Sequence, residues 1–178
     1  IPYQEFYKVI EFGNNLDEKE CNRLEEALLK MGILDALVID EQYKEQVLHL
    51  KQGCEDHYLF SCKNVQKELQ PGKSLLDVLE LNEEVNDIFS NQRLTGILGS
   101  IAYDNESMIA VAEDGTYRMG VLAGTVTGEY EAGFLGTKAR ERHRQAKMEA
   151  CRQRIAGLEE VLQQLEEMYR KLSERKVI

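Results

Sequence analysis

The feature that most limits what this chain can fold into lies in its last quarter. Met148, Cys151, Ile155, Leu158, Leu162, Leu165, Tyr169 and Leu172 recur at spacings of 3-4-3-4-3-4-3, an unbroken heptad over 25 residues. From Thr137 onward there is no proline and one glycine, Gly157. A helix that packs on a globular core shows a wider apolar face at a period of 3.6. A narrow two-position seam is that of a coiled coil, and an amphipathic helix lying on the globular part is the alternative. A seam requires a second helix. No other segment carries matching heptads, and the helix expected over 16–31 is too short. The partner is therefore expected from another copy or from a segment preceding Ile1. A chain that opens on Ile1 rather than Met is expected to be processed or cut from something longer.

The residues before that helix are enough for one compact domain. The chain has 178 residues, 43% of them hydrophobic, which is enough to build a core. No run approaches the ~18 apolar residues of a membrane span, and no basic start leads into an apolar signal segment. Cys21, Cys54, Cys62 and Cys151 include no C-x-x-C pair and read as reduced thiols of a cytoplasmic protein. His49, Cys54, His57 and Cys62 are zinc-ligand types. However, Tyr58-Leu59-Phe60 between the last two reads as a buried strand, and zinc knuckles usually open on paired cysteines. A packed strand flanked by loops is the reading taken, and neither a metal nor another cofactor is expected. The sequon Asn105-Glu106-Ser107 has no bearing on a protein that stays in the cytoplasm.

Hydrophobic periodicity predicts a strand over 6–12, rich in aromatic and β-branched residues. A helix over 16–31 follows, with Asn15 and Glu18 in a capping-box pattern, Leu24, Ala27, Leu28 and Met31 on one face, and Gly32 as the stop. A strand over 33–39, a short helix over 41–50 carrying Tyr43, Val47 and Leu50, and a strand over 57–62 complete an alternation that favours a small mixed sheet. Residues 63–73 are polar, with a turn at Pro71-Gly72. Ser74 is expected to cap a short helix through Leu79, and Asn82 a second one from Glu83, with Val85, Ile88 and Phe89 on a shared face. A helix is expected over 94–101. Glu113-Asp114-Gly115 between two apolar runs, 107–112 and 116–121, is a hairpin signal. Five glycines from Gly120 to Gly136 mark an irregular connector or a surface of close backbone approach.

Little in this chain nominates itself for chemistry. Gly72-Lys73-Ser74 imitates the end of a phosphate-binding loop, but Lys67 stands where that motif needs a glycine, so a turn and a helix cap are expected. The three histidines lie in no triad-like setting. The carboxylate pairs Glu25-Glu26, Glu83-Glu84 and Glu159-Glu160 read as solvated helix faces. Charge is split between the two parts: residues 1–136 hold 11 basic and 25 acidic groups, net −14, and residues 137–178 hold 11 and 7, net +4. An acidic globular part argues against nonspecific coating by nucleic acid. The dense basic stretch Lys138, Arg140, Arg142, Arg144, Lys147 either contacts DNA phosphates or pairs with acidic groups of the partner helix or the acidic globular part.

A mixed α/β (α+β) unit that leads into a coiled coil lacking its partner resembles the hinge of an SMC-type protein. FLGTKARERHRQAKMEACRQRIAGLEEVL (134–162) looks like the junction of hinge and returning coil in MukB-like proteins. LEEALLKMGILDALVID (24–40) looks like the helix-turn-strand that opens their hinge, and Asp114-Gly115-Thr116-Tyr117-Arg118 like the hairpin before the junction. The order of these motifs, with Ser74 to Leu79 as an SLxDVL-like segment, is most similar to the JetC family of Wadjet anti-plasmid systems and covers residues 6–172.

That resemblance implies a hinge over 1–136 and the start of a coiled-coil arm over 137–178. It implies a homodimer through the hinge, an arm that folds back on the N-terminal coiled-coil helix of the same protein, and a complex with other defence subunits that acts on DNA. The ATPase site lies outside these residues, so no catalysis is expected here, and no membrane. The dimer surface is placed on the hairpin 107–121 and the segment 122–136, with Met119, Val121, Leu122, Phe134 and Leu135 as apolar contacts. Packing of these side chains within one domain stands as the alternative. An adaptor or ligand-sensing domain that dimerises in parallel through its helix is the competing function.

Overall fold

The computed structural model describes residues 1–49, 56–60, 73–82 and 91–175. The chain forms two compact units, Ile1–Ala139 and Arg140–Ile178. The first is a mixed α/β unit with small sheets, and the second belongs to a long helix.

The amino-terminal segment alternates faster than its composition predicts. Residues Tyr3–Glu5 (β1) and Ile10–Phe12 (β2) are strands, but Phe6–Val9 between them is a single helical turn (α1). Phe6 and Val9, three residues apart, both enter the core, at 0% and 2% exposure. The N–H groups of Phe6 and Tyr7 donate to the carbonyls of Ala36 and Leu34 at 2.9 and 3.2 Å. The turn passes the chain from one sheet to another, so the expected strand over 6–12 is corrected to 10–12. β1 pairs antiparallel with Leu37–Ile39 (β3), which pairs parallel with Tyr58–Phe60 (β4). β2 pairs antiparallel with Leu79–Leu81 (β5).

The first long helix, Glu18–Lys30 (α2), starts at Asp17 rather than Asn15. Asp17 and Glu20 form the capping box, while the Asn15 amide donates to the Asp77 carbonyl. Leu24, Ala27, Leu28 and Met31 are buried as the periodicity requires, and the chain turns at Gly32. Ile33 and Leu34 do not extend β3: their N–H groups bond back to the Leu28 carbonyl and close the helix end. The short helix is confirmed in two pieces, a 3-10 turn Glu41–Tyr43 and Lys44–Leu48 (α3), with Val47 buried. Asp40 pairs with Arg93.

Ser74 does cap the next segment, but as one 3-10 turn, Leu75–Asp77, that passes into β5. Asn82 is 6% exposed, and its amide donates to the Lys8 carbonyl across to α1. The helix expected from Glu83, the turn at Pro71-Gly72, Leu50, Cys54 and Cys62 lie outside the described residues. Asn91–Gly99 (α4) delivers Leu94, Ile97 and Leu98 to the core.

Ile109–Val111 (β6) and Thr116–Met119 (β7) form the expected hairpin. Its Asp-Gly turn places Gly115 at φ +87°, which a side chain resists. The connector after it is more regular than its five glycines suggest, since Leu122–Thr125 (β8) is a strand antiparallel to β7. One apolar cluster joins Phe6, Ile10, Leu28, Leu75, Leu98 and Leu135 beneath these elements. The helix Thr137–Arg175 (α5) ends the described chain. No helix among the described residues is long and apolar enough to cross a membrane.

Candidate interaction surfaces

Among the described residues, the sheet β6-β7-β8 has one covered edge and one open edge. On the β6 side, the Ala102 N–H donates to the Ile109 carbonyl and the Val111 N–H to the Ala102 carbonyl, each at 3.0 Å. On the β8 side the ladder alternation settles which groups are free. The Val126 N–H donates to the Gly115 carbonyl at 3.1 Å, so in this register Gly124 and Leu122 also face β7. Ala123 and Thr125 then turn their N–H and C=O groups outward. Such an edge is a template for another strand.

The tight end of the sheet carries apolar side chains in a row. Ile109 pairs with Met119, and Met119 with Leu122, so the three stand side by side on one face. They are 43%, 40% and 50% exposed. Val121, in the two-residue turn beside Leu122, is fully exposed. Gly120 takes φ +62° as the first residue of that turn, the position a type II′ hairpin turn gives to glycine. Aligned apolar side chains next to an open strand edge can dock a partner by main-chain pairing and burial together.

Of the five predicted contacts, Met119, Val121 and Leu122 are thus brought together. Phe134 sits on a different segment, 36% exposed and edge-to-face on Tyr7 with ring centroids 5.8 Å apart. Leu135 is corrected: at 0% exposure it belongs to the core and has no surface to offer. Ile109 was missed, although the alternation of a strand through 107–112 would have set it opposite Met119.

The segment 130–135 is strapped down by one carboxylate. Glu25 accepts from the Tyr130 hydroxyl at 2.7 Å and from the N–H groups of Gly133, Phe134 and Leu135 at 2.7, 3.0 and 2.7 Å. Asn22, one turn earlier, accepts from the Ala132 N–H at 2.9 Å. Glu25 is 0% exposed and Glu26 6%, so the solvated face expected for this pair is overturned. A buried carboxylate is held by charge-assisted bonds from donors that point nowhere else. Burial and the Glu25 carboxylate push the Tyr130 hydroxyl far above its ordinary range. Glu159 and Glu160 are exposed as expected, and Glu83 and Glu84 lie outside the described residues.

In the second unit the heptad positions face solvent. Met148, Ile155, Leu158, Leu162, Leu165, Tyr169 and Leu172 are 44–76% exposed, and Cys151 is an exposed free thiol. Lys138 lies in the first turn of α5, Arg140 is half-buried, and Arg142, Arg144 and Lys147 are exposed. His49 is exposed, and His57 packs over Gly32. Among the described residues no three His, Cys, Asp or Glu side chains converge as metal ligands.

Comparison with protein-family profiles and with curated proteins gives no match. Among solved structures, the chain is similar to the crystal structure of the Pyrococcus furiosus SMC protein hinge domain, with 19% identity and a TM-score of 0.43. The likeness spans 75% of this chain and 76% of that one.

Proposed function

We propose that this chain is the hinge of an SMC-like subunit of the MukB and JetC type, which joins two coiled-coil arms and performs no catalysis itself. The observation that carries the reading is the uncovered heptad seam of α5 following a globular unit with its own docking edge. The order of sequence motifs over 6–172 supports the same assignment. In this reading two copies meet through the end of the β6-β7-β8 sheet, with Met119, Val121 and Leu122 at the contact and Ile109 beside them. The seam pairs instead with the N-terminal coiled-coil helix of the same protein.

The whole complex would be cytoplasmic, would include other defence subunits and would act on plasmid DNA. Lys138, Arg140, Arg142, Arg144 and Lys147 would be the residues nearest to phosphates.

Cross-linking tests the dimer. The full chain carrying Val121→Cys should yield a covalent dimer with a short bismaleimide, mapped by mass spectrometry to that position. Cys151 should yield none, although a parallel helix pair would bring two copies of it face to face. Cross-links through Cys151 and none through position 121 would replace the hinge by a helix-dimerised adaptor.

A further inference from the structure

The flanks of the α5 seam are not uniform, and their chemistry selects a partner. With Met148 and Cys151 as the first two seam positions, the flanking positions beside them hold Lys147, Arg152 and Arg154, all exposed. One heptad on, Val161 stands where Arg154 stood, and Met168 follows it; they are 51% and 53% exposed. The opposite flank turns acidic there, with Glu159 and Glu166, both exposed. Near its start the seam is narrow and flanked by cations. Further along it is three positions wide on one side and anionic on the other.

A second copy in parallel fits this face poorly. In a parallel pair each residue on the Lys147 flank meets the one five positions later on the other chain. Lys147 would meet Arg152, a repulsion. Val161 would meet Glu166, and Met168 would meet Ser173, burying apolar surface against polar groups. Only Arg154 with Glu159 is favourable. The Arg152 pair with Glu149 on the same helix, at 3.8 Å and mostly solvated, is too weak to neutralise the cationic flank.

We propose that this seam rejects a parallel second copy and takes a different helix: acidic beside Lys147, Arg152 and Arg154, basic beside Glu159 and Glu166, and apolar beside Val161 and Met168. The inference rests on the hinge reading for its direction, an antiparallel helix, and deepens it by stating what that helix must carry.

The test uses the full chain and a synthetic antiparallel helix with Leu at its seam positions, Glu facing the three cations, Lys facing the two glutamates and Leu facing Val161 and Met168. A control peptide has those five charges reversed and is otherwise identical. By fluorescence anisotropy at low salt the matched peptide should bind about tenfold tighter or more, and the ratio should shrink in high salt. Equal affinities for the two peptides would overturn the proposal. So would self-association of α5 that neither peptide displaces. The peptide ratio is independent of contacts through the sheet end, so the cross-linking result for Val121→Cys separates failure of this inference from failure of the hinge reading.

Discussion

Glu25 concentrates more of the internal polar order of the first unit than any other single side chain described. Its carboxylate collects one hydroxyl and three backbone N–H groups from residues 105–110 positions further along the chain. Glu25→Ala should lower the unfolding free energy by about 3 kcal/mol or more, because three N–H groups, two of them buried, lose their acceptor together. Glu25→Gln keeps the shape and one acceptor oxygen, and should cost about 1–2 kcal/mol. Urea denaturation measures both, and a loss well below ~1 kcal/mol for Glu25→Ala would show that the strap does not depend on it. Tyr130 adds a pH signature. Its hydroxyl is raised in the folded chain, first by burial and then by its bond to Glu25. Above pH ~10 the unfolded chain releases this proton while the folded one keeps it, so stability falls as pH rises. Tyr103, pushed up to about 12 mainly by burial, acts in the same direction. Tyr130→Phe should be less stable at neutral pH and should lose less between pH 9 and 11 than the unaltered chain.

Among the elements, the two hairpin turns differ in how tightly their glycines are held. Gly115 combines φ +87° with Val126 only 2.4 Å from where a Cβ would stand, whereas Gly120 at φ +62° faces open space. Gly120→Ala should cost about 1–3 kcal/mol from backbone strain alone, since the first position of a type II′ turn is one that L side chains rarely adopt. Gly115→Ala should cost more, because the Val126 side chain must also move. Thermal unfolding of the two variants gives the order, and equal losses would contradict it. This hairpin and the long helix are legible in the sequence because their signals are local: Asp114-Gly115 between apolar runs, and a heptad that never breaks. The segment 6–12 is not. Its three-residue strands give alternation too little length, and its helical turn is decided by bonds to Leu34 and Ala36. β8 is hidden for a similar reason, since a strand containing Gly124 is held by pairing with β7 rather than by its own propensity. Glu25 was misread because charges on a helix usually face water, and nothing local announces a partner more than a hundred residues away.

For the whole molecule, the two units present different apolar faces, and the hinge account gives each a different occupant. The sheet end meets a second copy, and the seam meets another helix. Mass in solution separates the two faces most directly, by light scattering of the full chain at tens of micromolar. The unaltered chain should be a dimer of about twice 20.4 kDa. Leu165→Asp, in the seam, should remain dimeric. Leu122→Asp, at the sheet end, should be monomeric, with unchanged circular dichroism. A monomeric unaltered chain, or a dimer lost in Leu165→Asp and kept in Leu122→Asp, would contradict it.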